Sequence, residues 1–214
     1  MSLKLYFHPL SSFCQKVLIA LYENETAFEP VLVDLGKLEE RARLLELWPI
    51  GKFPVLRDES RGQTIPESSI IIEYLDAHYP GRARMIPQDA ELARKVRARD
   101  RFMDLHVQLP MQKIVGDRLR PAGSKDPYGV EQARARLKTA YGVIENNMAG
   151  NAWAIGDTFT MADCAAAPAL FYAHKVQPFG EHKAMMRYYE RLMERPSYRR
   201  AVEEAKPYFH LFPE

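Results

Sequence analysis

This chain of 214 residues has few cysteines, almost no excess of basic over acidic groups, and no long apolar stretch. Its two cysteines, Cys14 and Cys164, are distant in sequence, so we expect no disulfide framework and a reducing, cytoplasmic setting. The 30 basic and 28 acidic groups nearly cancel, which gives no reason to expect nucleic acid or a membrane surface as a partner. The weakly polar stretch at residues 165–173 is too short to span a bilayer. The first ten residues lack the apolar run of a secretory signal.

The pattern of apolar residues changes near residue 81, where a Pro80-Gly81 pair breaks the chain. Before this point short β-rich runs alternate with helical patterns, and after it nearly all of the chain has helical periodicity. The sequence therefore predicts an α/β domain over residues 1–81 and an all-helical domain over residues 88–214. Strands are predicted at residues 3–7, 28–35, 53–56 and 63–65, and the helices of the second part at residues 89–118, 130–149, 160–174, 183–194 and 197–205.

The first predicted helix begins at a pair of serines, Ser11 and Ser12. One of them is expected to cap the helix, and such a cap contributes about 1 kcal/mol. The same position can also serve chemistry, because a helix N-terminus presents unpaired N–H groups that stabilise an anion such as a thiolate. A serine hydroxyl there would add a hydrogen bond to the sulfur. The sequence leaves both interpretations open, and it does not decide between the two serines.

Cys14 follows these serines with the spacing of a Cys-x-x-Cys motif whose first cysteine is replaced by Ser11. With one cysteine the motif cannot form an intramolecular disulfide. Cys14 falls in the first helical turn, where the pKa of a thiol can drop. The alternative is a core position, in which cysteine acts as a small hydrophobic residue.

Two further motifs have both a structural and a functional interpretation. Pro54 cannot donate to a strand ladder, so Phe53-Pro54 marks a strand start or edge, or a cis bond that exposes the backbone of Phe53 to an extended peptide. Glu67 and Ser68 precede an apolar helical run. They either cap this helix or hold the two charged ends of an α-amino acid group, with Ser68 on the carboxylate and Glu67 on the ammonium.

In this order, the motifs resemble those of cytosolic glutathione S-transferases, and the resemblance extends over the whole chain. The second half contributes a predicted capping box at Thr160 and Asp163, with Phe159 as its hydrophobic staple. The resemblance implies a thioredoxin-like N-terminal domain, an all-helical C-terminal domain, glutathione as co-substrate and a homodimer. The motifs that carry it are Ser11-Ser12-Phe13-Cys14, Gly51-Lys52-Phe53-Pro54, Glu67-Ser68 and Phe159-Thr160-Met161-Ala162-Asp163.

The resemblance also implies roles for individual residues. Ser11 matches the hydroxyl that activates the glutathione sulfur in serine-type classes, and Ser12 is its nearest competitor. Phe53 and Pro54 match the residues of the cis bond that pair with the cysteinyl part, although a small aliphatic residue is commoner where Phe53 stands. Glu67 and Ser68 match the γ-glutamyl pocket. The remaining implied contact is Lys52 with the glycine carboxylate, for which a solvated lysine is the alternative.

A hydrophobic electrophile would lie between the domains, against the long helix that starts near residue 89. The predicted wall residues are Met103, His106 and Pro110, and core packing is the alternative. Further candidates on the same helix are Val107, Leu109, Met111 and Ile114. The histidines show no metal-ligand spacing, so no metal is predicted. The resemblance favours a serine-type transferase, theta- or zeta-like or of an unassigned bacterial class, with bacterial cysteine-containing forms as the competitor. Such an enzyme would add glutathione to an electrophile or reduce a peroxide. Two alternatives stay open: a glutathione-dependent disulfide reductase that uses Cys14, and a non-catalytic stress or assembly protein of the same fold.

Overall fold

The computed structural model describes residues 2–213. Its first part contains four strands and three helices in the order βαβαββα. The strands are β1 (Leu3–Phe7), β2 (Glu29–Leu32), β3 (Val55–Asp58) and β4 (Gln63–Pro66), and the helices are α1 (Ser12–Glu23), α2 (Leu38–Leu47) and α3 (Ser68–His78).

The four strands form one mixed sheet in the order β2-β1-β3-β4. Strand β1 is connected to β2 by α1 and pairs with it in parallel, with Leu5 aligned to Pro30. It pairs antiparallel with β3, where Leu5 aligns with Leu56. Pro30 lies on the edge strand β2, where a missing N–H does least harm to the ladder. The sheet and its helices form the predicted thioredoxin-like unit.

Side chains along β1 alternate between the two faces of the sheet, and the two faces differ in burial. Leu3, Leu5 and Phe7 are buried, and the residues between them are half-buried. The covering helix α1 is buried on nearly all sides, because it packs on α3 and also on two helices of the second part, α7 (Met161–Val176) and α9 (Pro196–Ala205). A single core therefore continues from the sheet into the helical part.

The second part is helical. Its first long region, predicted as one helix over residues 89–118, contains α4 (Ala90–Phe102), a π-helical segment (Met103–Gln108) and α5 (Leu109–Arg118). The N–H of Leu109 donates to the carbonyl of Asp104, five residues back. Pro110 follows directly and has no N–H to donate. The remaining long helices are α6 (Pro127–Met148), α7 (Met161–Val176), α8 (Lys183–Glu194) and α9 (Pro196–Ala205).

Helix α7 lies at the centre of the second part, with almost every residue buried. The predicted capping box is present at its start: Asp163 accepts the backbone N–H of Thr160 at 2.9 Å. Asp163 also accepts the hydroxyl of Tyr188 at 2.7 Å and the N–H of Ala154 at 2.8 Å. This carboxylate therefore fixes the helix start to α8 and to the preceding loop. Within residues 2–213 the longest apolar helices fall short of what crossing a membrane requires.

Candidate functional site

A cleft of about 380 Å³ opens between the sheet domain and α5. It collects the start of α1, the turn before β3 and the start of α3, although these segments are far apart in sequence. Six predicted site residues contribute to one lining. The other lining residues come from α1, from the loops before and after α2, and from α5. The lining consists of Ser11, Phe13, Leu35, Trp48, Gly51, Lys52, Phe53, Pro54, Glu67, Ser68, Leu109 and Gln112.

Ser11 is the N-cap of α1. Its Oγ accepts the N–H of Cys14 at 3.3 Å, and its carbonyl accepts the N–H of Gln15 at 2.9 Å. The hydroxyl proton remains available for donation toward the cleft, since the oxygen acts as the acceptor in the cap. A partly exposed hydroxyl and the positive end of a helix dipole therefore meet at one point of the lining.

Ser12 and Cys14 point elsewhere. Ser12 is the first residue of α1 and is buried, and its Oγ accepts a hydrogen bond from the side-chain amide of Gln108. Cys14 is fully buried, and burial raises the pKa of its thiol to about 12. Of the two settings that its position in the first turn allowed, the structure has the core one. Ser11 is the member of this group that lines the cleft.

The Phe53-Pro54 peptide bond is cis. Strand β3 begins only at Val55, so Phe53 lies in the turn before the ladder. Among residues 2–213 no backbone hydrogen bond occupies the N–H or the carbonyl of Phe53. Gly51 precedes this turn with a φ of +66°, and a Cβ placed there would lie 2.9 Å from the side chain of Leu45. The turn therefore presents an unpaired backbone edge at the cleft.

Glu67 and Ser68 form the corner between β4 and α3. Glu67 has a φ of 71°, a left-handed conformation that is uncommon for a residue with a side chain. Its carbonyl accepts the N–H of Ile71, so helix α3 starts here, and Glu67 and Ser68 place this helix start in the cleft lining. The carboxylate of Glu67 is exposed, and Ser68 is buried. Strained backbone of this kind concentrates at binding sites.

A second cavity of about 330 Å³ adjoins the cleft on the side of the helical domain and shares Ser11, Phe53 and Gln112 with it. Its wall is largely apolar and aromatic, and it includes residues from the C-terminal segment. The other lining residues are Leu10, Ser12, Gln108, Met111, Val115, Gly116, Tyr172 and Phe212. The serine hydroxyl of Ser11 thus lies at the junction of a polar and an apolar compartment.

Comparison with known proteins gives this arrangement a family. Models described as the N-terminal and C-terminal domains of glutathione S-transferase match residues 5–83 and 102–196. Glutathione S-transferase 3 of Zea mays is 30% identical over 209 residues, which cover 94% of this chain and 93% of the maize protein. The chain belongs to the glutathione S-transferase family.

Two further relatives show the range of the family. A crystal structure of a glutathione S-transferase from Methylobacillus flagellatus with GSH bound has a TM-score of 0.86 and 26% identity, and the match covers 94% of this chain and 98% of that one. The stringent starvation protein A homolog of Haemophilus influenzae is 29% identical over 201 residues, which cover 91% of this chain and 87% of that protein.

The structure places the three predicted wall residues of this glutathione S-transferase outside the cleft and outside the second cavity. Met103 is buried in the core, and His106 is exposed in a separate groove beside Phe102 and α6. Pro110 lines another groove that faces Lys113 and α6. Positions 103, 106 and 110 would share one face of a continuous α-helix. The π-helical segment holds more residues per turn than an α-helix, so the three positions do not share a face here.

Two further wall candidates, Leu109 and Met111, line the compartments, whereas Gln112 and Phe212 were not predicted from the sequence. Leu109, Met111 and Gln112 reach the two compartments from α5, whose register depends on the π-helical segment. Phe212 comes from the C-terminal segment and stacks on Tyr172 with ring centroids 5.5 Å apart.

Proposed function

We propose that this protein is a glutathione transferase that binds glutathione in the cleft, stabilises its thiolate and adds it to a small hydrophobic electrophile. One observation carries the proposal: the hydroxyl of Ser11 shares a lining with the unpaired backbone of Phe53 and with the Glu67-Ser68 corner. In this proposal residues 1–81 supply the glutathione site, and residues 88–214 supply the wall of the electrophile site.

The cleft has the chemistry that the tripeptide requires. The exposed carboxylate of Glu67 suits the α-ammonium group of the γ-glutamyl residue, and Ser68 with the start of α3 suits its carboxylate. The unpaired N–H and carbonyl of Phe53 suit the cysteinyl backbone, which would pair with them as an added strand does. The exposed ammonium of Lys52 suits the glycine carboxylate. With the two ends so placed, the sulfur falls near Ser11.

Ser11 would act by stabilising the sulfur as an anion. A hydrogen bond to a charged group contributes about 1.5–3 kcal/mol, and a helix N-terminus contributes about 0.3–1 kcal/mol. Because one pKa unit corresponds to about 1.4 kcal/mol, the two effects together lower a thiol pKa of about 8.5 by roughly one to three units. The bound thiol would then be substantially ionised near neutral pH, and its proton would leave to solvent.

The second cavity would hold the electrophile against Val115, Tyr172 and Phe212. The thiolate donates an electron pair to an electrophilic carbon and forms a C–S bond. With an aryl chloride the C–Cl electron pair departs with chloride, so the charge balances without a further reactant. Holding both partners next to Ser11 supplies the gain from proximity. The carbon skeleton of the natural electrophile is a matter for substrate profiling.

The finer expectations belong to the same proposal. We infer a cytoplasmic, homodimeric detoxification enzyme. Two buried free thiols suit a reducing compartment. Exposed apolar side chains on the sheet domain and along α4, among them Ile50, Ile70 and Leu92, suit a surface covered by a second copy. Light scattering at micromolar concentration tests the dimer, and a monomer mass would refute it.

The test of the proposal is a titration of glutathione into wild type and Ser11→Ala, in which thiolate absorbance is followed across pH. We expect wild type to bind glutathione with a lowered thiol pKa. We expect the variant to bind with a thiol pKa close to that of free glutathione, and Ser12→Ala to behave as wild type. Wild type that binds glutathione without lowering this pKa would refute the role of Ser11, and absence of binding would refute the transferase.

A second candidate function rests on the likeness to the stringent starvation protein A homolog, whose name describes a stress protein. This alternative would not need a competent thiol site. The intact lining formed by Ser11, Phe53 and Glu67 favours the transferase. The same titration separates the two, because a non-catalytic module would leave the thiol pKa of glutathione unchanged.

A further inference from the structure

The loop that delivers Ser11 is held by a chain of hydrogen bonds. The N–H of Ser11 donates to the carbonyl of His8 at 3.0 Å, and the N–H of Leu10 donates to Nδ1 of His8 at 3.2 Å. The carbonyl of Pro9 accepts the side-chain amide of Gln15 at 2.8 Å. Each of these partners lies in the sheet domain, within seven residues of Ser11.

The remaining carbonyl of the loop has a partner from the other domain. The hydroxyl of Tyr172, on the central helix α7, donates to the carbonyl of Leu10 at 2.8 Å. The same hydroxyl oxygen accepts the amide of Gln15 at 3.2 Å. The peptide group between Leu10 and Ser11 is thus bonded at both ends, through its N–H to His8 and through its carbonyl to Tyr172. A peptide plane fixed on both sides fixes the direction in which Ser11 leaves the loop.

We propose that Tyr172 is a positioning residue for the thiolate site: through the carbonyl of Leu10 it holds the hydroxyl of Ser11 at the sulfur. The inference rests on the proposed function. Tyr172 itself does not line the glutathione cleft, so it acts through the loop and does not touch the sulfur-binding lining. Neither the sequence motifs nor the family match points to a residue 161 positions beyond Ser11.

The surroundings of Tyr172 suit a constant donor. The residue is 3% exposed, and its burial raises the pKa of the phenol, so the hydroxyl keeps its proton throughout the neutral range. Its ring is held by an edge-to-face contact with Phe171 and by stacking on Phe212. Because these two contacts restrain the ring, the hydroxyl of Tyr172 can hold the loop before Ser11 in one position.

The ring of Tyr172 also forms part of the wall of the second cavity. One residue therefore touches the electrophile compartment with its ring and the thiolate loop with its hydroxyl. This juxtaposition explains why the helical domain is needed for the chemistry of a cleft built mostly from the sheet domain. It also predicts that the hydroxyl and the ring can be separated by mutation.

The test is Tyr172→Phe, which removes the hydroxyl and keeps the ring. We expect the thiol pKa of bound glutathione to rise by about one unit, a tenfold loss in ionisation. At a pH below both pKa values kcat/KM for an aryl chloride should fall about tenfold. The loss should shrink as the pH rises above both values, because the thiol then ionises without help. The KM for glutathione should stay within about threefold.

Tyr141→Phe is the matched control. The hydroxyl of Tyr141 also donates to a backbone carbonyl, that of Gln177 at 3.0 Å, and the residue is likewise buried, but it lies on α6 away from both compartments. Both variants lose the same kind of bond, so a general loss of stability should affect them equally. We expect Tyr141→Phe to keep the wild-type thiol pKa and pH profile.

The outcomes separate this inference from the function on which it rests. If wild type lowers the thiol pKa, Ser11→Ala abolishes the effect and Tyr172→Phe matches wild type, the positioning role is refuted and the transferase stands. If both tyrosine variants lose activity in parallel with their melting temperatures, the hydroxyl is only structural and the inference is overturned. If wild type itself leaves the thiol pKa unchanged, the proposed function fails first.

Discussion

The ammonium group of Lys16 lies 2.6 Å from Oδ1 of Asp100, and both side chains are 1% exposed. Lys16 belongs to α1 and Asp100 to α4, so the pair joins the two domains inside the core. The same ammonium lies 2.9 Å from Asp104 and donates to the hydroxyl of Ser69 at 2.8 Å. Ser69 in turn donates to Asp100 at 2.6 Å. The buried ammonium group of Lys16 therefore links the two domains by pairing with two carboxylates.

Replacing Lys16 by Met should destabilise the fold by about 3–5 kcal/mol near neutral pH, because two carboxylates stay buried without their cation. Burial already raises the pKa of Asp104, and the lysine works against this rise. Without the lysine the folded-state pKa increases further above the unfolded value of about 3.9. Stability is then retained at low pH and lost as the pH rises. Urea unfolding at several pH values measures this.

Lys37→Met is the control for the buried lysine. Lys37 also pairs with a carboxylate, that of Glu40, but its side chain is 66% exposed. Exposed pairs contribute little, so we expect no measurable change in the free energy of unfolding. Equal effects of the two substitutions, or an effect of Lys16→Met that does not vary with pH, would contradict the role assigned to the buried cation.

Both thiols should be silent in the native protein. Cys14 and Cys164 are 0% exposed, and burial raises the pKa of each thiol, that of Cys14 to about 12. A thiol reagent at neutral pH should therefore count none in the native state and two after unfolding in urea. Cys14→Ala should keep the glutathione-dependent activity. Rapid labelling of native Cys14 with loss of activity would instead favour the disulfide reductase.

Protonation of Asp58 should increase the loss of folding stability at acidic pH. Burial opposes its charge, but hydrogen bonds from Tyr79, Ser60 and Tyr74 and from the N–H of Arg61 prevail and hold the pKa of the carboxyl well below its usual range. Its stabilisation is thus complete above about pH 4, the unfolded pKa, and is lost as the pH falls toward the lower folded value. Asp58→Asn should cost about 2–3 kcal/mol at pH 7.

The measurement is the difference in unfolding free energy between wild type and Asp58→Asn as a function of pH. The difference should be constant from pH 7 to about 5 and should shrink below about pH 4. A difference that does not change with pH would show that Asp58→Asn destabilises the fold through altered packing and not through loss of the negative charge. The phenol of Tyr74 stays a donor throughout, since burial raises its pKa to about 12.

Local patterns in the sequence were enough to predict much of the fold. Strand β1 at residues 3–7 and helix α8 at residues 183–194 have the predicted bounds, because apolar periodicity and breakers mark both ends. The capping box at Thr160 and Asp163 was likewise predictable from four consecutive residues. Strand β3 begins at Val55 and not at residue 53, since Pro54 has no N–H for the ladder.

The site was predictable where it depends on short motifs, and not where it depends on helix register. Ser11, Phe53 and Glu67 share one lining because the βαβαββα topology brings three sequence motifs to the same end of the sheet. The electrophile wall depends on which face of a long helix turns inward. A π-helical segment changes that face without changing composition, so Met103 and His106 could not be excluded from sequence. Phe212 lies about 200 residues after Ser11 in the sequence, so only the tertiary fold shows that both line the second cavity.

The assignment of the second cavity can be tested by narrowing it. Gly116 lines this cavity, and no heavy atom lies within 4 Å of a Cβ placed there, so Gly116→Leu can be accommodated. Leucine also suits a helix better than glycine, by about 1 kcal/mol, so the fold should not suffer. We expect the KM for a bulky aryl electrophile to rise several-fold, by about 1 kcal/mol in binding, while glutathione affinity stays unchanged.

His106→Ala provides the comparison, because His106 lies in the groove beside Phe102 and outside both compartments. We expect wild-type kinetics for both substrates. The reverse pattern, with His106→Ala raising the KM for the electrophile and Gly116→Leu leaving it unchanged, would move the electrophile site to the groove between α4 and α6. Because Gly116 lines the same cavity as Ser11 and His106 does not, Gly116 is the more direct test of where the reaction takes place.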